Sequence, residues 1–134
     1  MSTYTIVKIA AETYAIPVRN VIEIADLGEV KTVPGTRREI LGVRNLRRQI
    51  LPVVDLALLL GINHPAAPSR LVVAEAANVQ AGLAVDEISD VAELPDPTEA
   101  PESDSLLGAI LHDGDLIGVL DIARLLSRLA EANG

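Results

Sequence analysis

The sequence predicts an all-β fold of two small five-stranded barrels packed side by side, with short helices that include one at the C-terminus. Three observations carry that expectation. Short β-branched runs alternate with turn residues along the whole chain. The chain also repeats itself at an offset of 66 to 67 residues. Finally, 134 residues at 49% hydrophobic content suffice for one compact domain, or two small lobes sharing a core, and nothing larger.

The first strand is Tyr4 to Ala10, rich in β-branched residues and too short for a stable helix. After a turn at Ala11 to Thr13 comes Tyr14 to Val18, where Pro17 forbids a helix interior and permits an edge strand. Val21 to Leu27 stays open between two readings. A helical turn at Asn20 would point Val21 and Ile24 inward, whereas strict extension groups Val21, Glu23 and Ala25. Pro34 and Gly35 break the chain, and Thr36 with Glu39 spells a capping box for one helical turn reaching Ile40. Gly42 to Leu46 and Gln49 to Val54 read as strands on either side of an arginine-rich turn. Asp55 is placed to N-cap a helix from Leu56 to Leu60, with Gly61 at its left-handed end.

The pattern restarts after a Pro-containing linker, Asn63 to Ser69. Arg70 to Ala77, Ala81 to Val85 and Ile88 to Leu94 read as strands, and Pro95 to Ser105 as an acidic, solvent-facing loop. Two more strands, Gly108 to Leu111 and Asp115 to Leu120, flank Asp113-Gly114, the strongest local hairpin signal present. Asp121 then opens a helix from Ile122 to Ala132, with Ile122, Leu125, Leu126 and Leu129 on one face.

The repeat lays residues 50–60 on residues 116–126. Val53, Asp55, Ala57, Leu59 and Leu60 then meet identical residues at Val119, Asp121, Ala123, Leu125 and Leu126, and Gly42 meets Gly108. Further upstream Ile16, Val18, Val21 and Ile24 meet Leu83, Val85, Ile88 and Val91, while Glu23 meets Asp90. One domain of two similar lobes follows, roughly 1–67 and 68–134. Strand exchange between the lobes is left open.

Composition narrows the function. With no Phe, no Trp and two Tyr, a stacking platform for nucleic acid is disfavoured, as is any nucleic-acid partner by the formal charge of −8. That charge is uneven: residues 1–67 carry net +2 and residues 68–134 net −10, which suits different partners on different sides. Without cysteine there is no disulfide, thiolate site or thiol nucleophile. No signal peptide is visible and no window holds eighteen apolar residues, so a soluble cytoplasmic protein without membrane insertion is expected.

No catalytic, cofactor or metal residue stands out. Asp55 and Asp121 recur at strand-to-helix junctions and read as N-caps, not an acid–base pair. His64 in the linker and His112 beside a turn lack a second ligand at metal spacing. Asp96, Glu99, Glu102 and Asp104 read as a solvated connection with a weaker claim to a divalent cation.

The residues from Gly42 to Gly61, GVRNLRRQILPVVDLALLLG, resemble the signature of CheW-like coupling proteins of bacterial chemotaxis. ETYAIPVRNVIEI, GLAVDEISDV and the region Gly108 to Leu126 are similar to further elements of that family, in the same order. The resemblance implies two interlocked barrels of the Src-homology-3-like type and a non-enzymatic scaffold without cofactor. It implies as partners the regulatory domain of a CheA-like histidine kinase and the cytoplasmic tip of a chemoreceptor. Carried over by position, Glu23, Arg47, Leu71 and Val91 match the receptor groove, and Val21 and Gly42 match positions affecting kinase and receptor contacts. Arg44 and Arg48 could add electrostatic docking. Recruitment to membrane-associated receptor arrays follows, with a pilus or gliding pathway, or homotypic rings, as alternatives. From another class, the rival is a small-molecule enzyme or sensor with a pocket between the lobes.

One position departs from the family. Its Asn-Leu-Arg-Gly turn reads Asn45-Leu46-Arg47-Arg48 here, and the internal repeat sets Gly114 opposite Arg48. Both comparisons predict a backbone site that favours glycine, with φ above zero; either the turn is unchanged and Arg48 bears a left-handed cost of ~1 kcal/mol or more, or the turn re-forms and moves Arg47 out of its inherited role.

Overall fold

The computed structural model describes residues 1–63, 67–99 and 103–132. His64 and Glu102 lie outside the described residues. In chain order the strands are β1 (Ser2–Ile9), β2 (Glu12–Pro17), β3 (Val21–Asp26), β4 (Ile40–Leu46) and β5 (Gln49–Asp55), followed by helix α1 (Leu56–Leu59). The second series is β6 (Arg70–Ala76), β7 (Val79–Val85), β8 (Glu87–Leu94), β9 (Leu106–His112) and β10 (Asp115–Leu120), followed by α2 (Ile122–Ala132).

The strands form two five-stranded sheets, ordered β8-β1-β2-β10-β9 and β3-β6-β7-β5-β4. Under the repeat, β1 to β5 correspond to β6 to β10, and one sheet order becomes the other. The sheets do not follow the halves of the chain. Each takes its first two repeat strands from one half and its last three from the other, joined by the parallel pairs β2–β10 and β5–β7. A boundary at residue 67 therefore falls inside the second sheet, which holds every strand from β3 to β7.

Burial explains why four strands read as continuous apolar runs. Alternate side chains on a strand face opposite ways. Tyr4, Ile6 and Ala15 point into a small core that β8, β9 and β10 complete with Leu94, Ile110, Ile117 and Val119. Leu71, Val73 and Ala84 point into a second small core with Leu51 and Val53. The opposite faces of the same strands, Val7, Ile9, Ile16, Val72, Ala74 and Leu83, meet in a third core between the sheets. Helix α2 adds Ile122, Leu125, Leu126 and Leu129 to that shared core. Thus β1, β2, β6 and β7 have both faces covered, which selects apolar residues without alternation.

The paired glycines have a steric cause. A short strap pairs Lys31 with Val43 beside β4, and its counterpart pairs Thr98 with Ala109 beside β9. A Cβ at Gly42 would lie 2.1 Å from the Lys31 carbonyl oxygen, and one at Gly108 would lie 2.2 Å from that of Thr98. Only glycine lets the straps approach. Both aspartates cap as expected: Asp55 Oδ1 accepts from the Ala57 and Leu58 N–H groups at 3.0 and 3.4 Å, and Asp121 Oδ1 from Arg124 at 3.1 Å.

Two local expectations are corrected. Thr36 does not cap a helical turn; its hydroxyl donates to the Val33 carbonyl at 2.9 Å. Sheet pairing wins there, because the Glu39 carbonyl accepts from Asp55 N–H at 2.7 Å and Ile40 pairs with Val54. Pro17 does not mark an edge strand either, since β2 lies mid-sheet and Pro17 is its last residue.

Candidate functional site

The β4–β5 hairpin closes through Leu46 paired with Gln49, leaving Arg47 and Arg48 as a two-residue turn with φ of 52° and 66°. Both central residues are left-handed, the form that matches the twist of hairpin strands. The β6–β7 and β9–β10 hairpins repeat it, with Ala77 and Asn78 at 51° and 65° and Asp113 and Gly114 at 51° and 82°. Arg48 thus occupies the glycine-like site without altering the turn.

Arg47 reaches from this tip to the other margin of its sheet. Its Nε donates to Glu23 Oε1 at 3.0 Å. Glu23 sits on edge strand β3 and Arg47 next to edge strand β4, so the ion pair spans the gap that backbone pairing leaves open. The Arg47 side chain is 79% exposed, so the pair contributes only ~0.2–1 kcal/mol and chiefly orients two charges.

The remaining candidates separate by burial. Val91 is 54% exposed on edge strand β8 and presents an aliphatic surface, whereas Leu71 is 0% exposed and belongs to the second core. Leu71 backs the site and offers no contact area. Val21 is half-buried against the shared core, and Gly42 is buried beneath the Lys31 strap. Arg44 is half-buried, and its Nη1 donates to the Asp26 carbonyl at 2.9 Å. A Cβ at Gly28 would lie 2.7 Å from Arg44 Nε, so this arginine is packed into the strap. Arg48 is exposed.

Strand β3, with a register shift against β6 between Val21 and Glu23, turns Ile22 and Ile24 to solvent, while the helical turn considered at Asn20 forms just upstream as a 3-10 turn, Val18–Asn20. Ile24 is the repeat mate of Val91, so the two edge strands β3 and β8 carry matching exposed aliphatics. The strict-extension pattern was the signal for them. Larger exposed side chains mark the hairpin ends: Ile50 beside the arginine turn, and Leu111 directly opposite Leu116 on β9–β10.

The space between the sheets is occupied by the shared core. A cavity of about 450 Å³ lies outside β4–β5, lined by Glu29, Lys31, Val43, Arg44, Asn45 and Ile50. Another, of about 190 Å³, opens on the first sheet and brings Asp90, His112, Asp113 and Asp115 together with Lys8 and Ser89. It lies within one sheet's strands, and His112 Nε2 is 3.3 Å from Asp113 Oδ2. Among the described residues, no three His, Asp or Glu side chains are placed to hold a metal ion together. Tyr14 donates its hydroxyl to Glu12, and burial, that hydrogen bond and the carboxylate charge raise the phenol above its usual pKa.

A family model described as a CheW-like domain matches residues 3–130. The chain belongs to the CheW-like domain family. This CheW-like domain is 29% identical over 134 residues to a protein named chemotaxis protein CheW from Thermotoga maritima, across 95% of this chain and 89% of that one. It is 27% identical over 129 residues to chemotaxis protein CheW from Helicobacter pylori, across 90% of this chain and 78% of that one. Among solved structures, the scaffolding protein TtCheW from Thermoanaerobacter tengcongensis superposes with a TM-score of 0.80 at 25% identity, covering 90% of this chain and 88% of that one. The two-sheet architecture therefore matches that of a CheW scaffolding protein. No helix among the described residues is long and apolar enough to cross a membrane.

Proposed function

We propose that this CheW-like domain is a non-enzymatic adaptor that couples a CheA-like histidine kinase to the cytoplasmic tip of a chemoreceptor. The Arg47–Glu23 pair carries the proposal, because it fixes a charged landmark on edge strand β3, whose opposite face exposes Ile22 and Ile24. A receptor hairpin docks along this surface and Val91. The kinase regulatory domain docks at a hairpin end, where the exposed Ile50 or the Leu111–Leu116 pair supplies apolar contact. Binding both partners at once raises the effective concentration of kinase at the receptor without any new contact between them. The domain acts in the cytoplasm and is recruited to membrane-associated receptor arrays. Val21 and Gly42 act indirectly, through the shared core and the Lys31 strap.

A second reading has an observation of its own. The repeat-related tips carry opposite charge, Arg47 and Arg48 on one and Asp113 and Asp115 on the other, each beside an exposed aliphatic residue. Head-to-tail contact of such tips would build homotypic rings or filaments. Purified protein is tested against a receptor-tip hairpin and a kinase regulatory domain in parallel. Arg47→Asp should weaken receptor capture more than kinase binding; undiminished receptor capture would sink the groove assignment.

A further inference from the structure

Three of the two-residue hairpin turns, β4–β5, β6–β7 and β9–β10, share one backbone form but not one solution to its strain. The left-handed conformation is disfavoured for any residue with a Cβ, least so for asparagine and aspartate, and is open to glycine, which has none. At the second turn position, two hairpins use Asn78 and Gly114, and the third uses Arg48. At the first position Arg47 offsets its strain by its bond to Glu23. Arg48 has no such return. Among the described residues it makes no side-chain hydrogen bond or ion pair, and it is exposed.

Ala10 and Ala77 show that the left-handed backbone alone needs no partner, but Arg48 adds to it a guanidinium that no described residue engages, so its charge is open to a group outside the chain. Arg44 is packed against the strap and bonded to Asp26, and Arg47 is paired, so Arg48 is the unpaired guanidinium of this hairpin. We propose that Arg48 is a specificity residue that receives a carboxylate of the docking receptor tip. This rests on the assignment of Arg47 and Glu23 to the receptor site. The turn holds the Arg48 backbone in a fixed left-handed geometry one residue from that pair, so a receptor carrying an acidic residue there is selected over one that does not. Arg44, Arg47 and Arg48 gather positive charge on one hairpin of a chain whose net charge is −8, so a short acidic protein segment can meet this tip alone, whereas nucleic acid or an anionic lipid surface would also face the excess negative charge.

The test measures binding of an immobilised receptor-tip hairpin by the full chain and by Arg48→Gly, Arg48→Lys, Arg48→Glu and Arg47→Asp, at two salt concentrations, with thermal melts alongside. Arg48→Gly should melt no lower than the parent yet bind roughly three- to tenfold more weakly, with a flatter salt dependence. Arg48→Lys should retain most binding. Arg48→Glu should bind worst and recover when a receptor carboxylate is changed to lysine. Binding by Arg48→Gly equal to the parent at both salt concentrations overturns the proposal; if Arg47→Asp still weakens binding, the groove assignment survives alone. No binding by the parent removes both. Arg48-dependent retention on anionic vesicles or DNA, without Arg48-dependent receptor binding, also overturns it.

Discussion

Arg48→Gly should stabilise the protein, although it deletes a charged side chain from a surface proposed to bind a partner. Arg48 holds φ at 66°, in the left-handed region. Relief of that conformation is worth ~1–2 kcal/mol for a residue with a Cβ. Glycine returns ~0.5–1 kcal/mol of this through the greater freedom of its unfolded chain. No buried contact is lost, since Arg48 is exposed. The net gain is about 0.5–1 kcal/mol, or a rise of roughly 2–4 °C in melting temperature for a domain of this size. Gly114→Arg supplies the mirror experiment. Nothing lies within 4 Å of a Cβ added at Gly114, so that change introduces the backbone term without a clash. It should lower the melting temperature by a similar amount. Calorimetry of the three proteins in one buffer decides the matter. An unchanged or lower melting temperature for Arg48→Gly, together with a neutral Gly114→Arg, would refute the strain argument.

Other substitutions probe the scaffold around the site. Gly42→Ala and Gly108→Ala each place a methyl group about 2 Å from a strap carbonyl oxygen and should destabilise by more than ~2 kcal/mol in denaturant titrations. Asp55→Ala removes the acceptor for two N–H groups of α1 and should cost about 1 kcal/mol in the same assay. A double-mutant cycle on Glu23 and Arg47 should return a coupling below ~1 kcal/mol in the free protein, because the arginine is mostly exposed.

Local chemistry was the legible part of the sequence. The caps at Asp55 and Asp121 and the turn at Arg48 depend on backbone groups within a few residues, so the chain spells them directly. Strand exchange was not legible, because β1 with β2 and β6 with β7 have the same doubly buried pattern and either pair could complete either sheet. Capping chemistry at Thr36 and Glu39 failed for a related reason: the Glu39 carbonyl is taken by a strand sixteen residues downstream. Burial of Leu71 and the engagement of Arg44 with Asp26 and Gly28 are likewise tertiary facts. Exposed Ile22 and Ile24 were recoverable from strict alternation on β3, had the helical reading of Asn20 been confined to the preceding turn.

The most direct measurement is co-sedimentation of kinase with receptor-containing membranes, with and without this CheW-like domain. An adaptor with two separate docking surfaces should carry the kinase into the membrane pellet, and Arg47→Asp should abolish that transfer while still binding kinase in solution. Kinase sedimentation that is indifferent to the domain, or a domain that binds either partner but never both together, would contradict the bridging role.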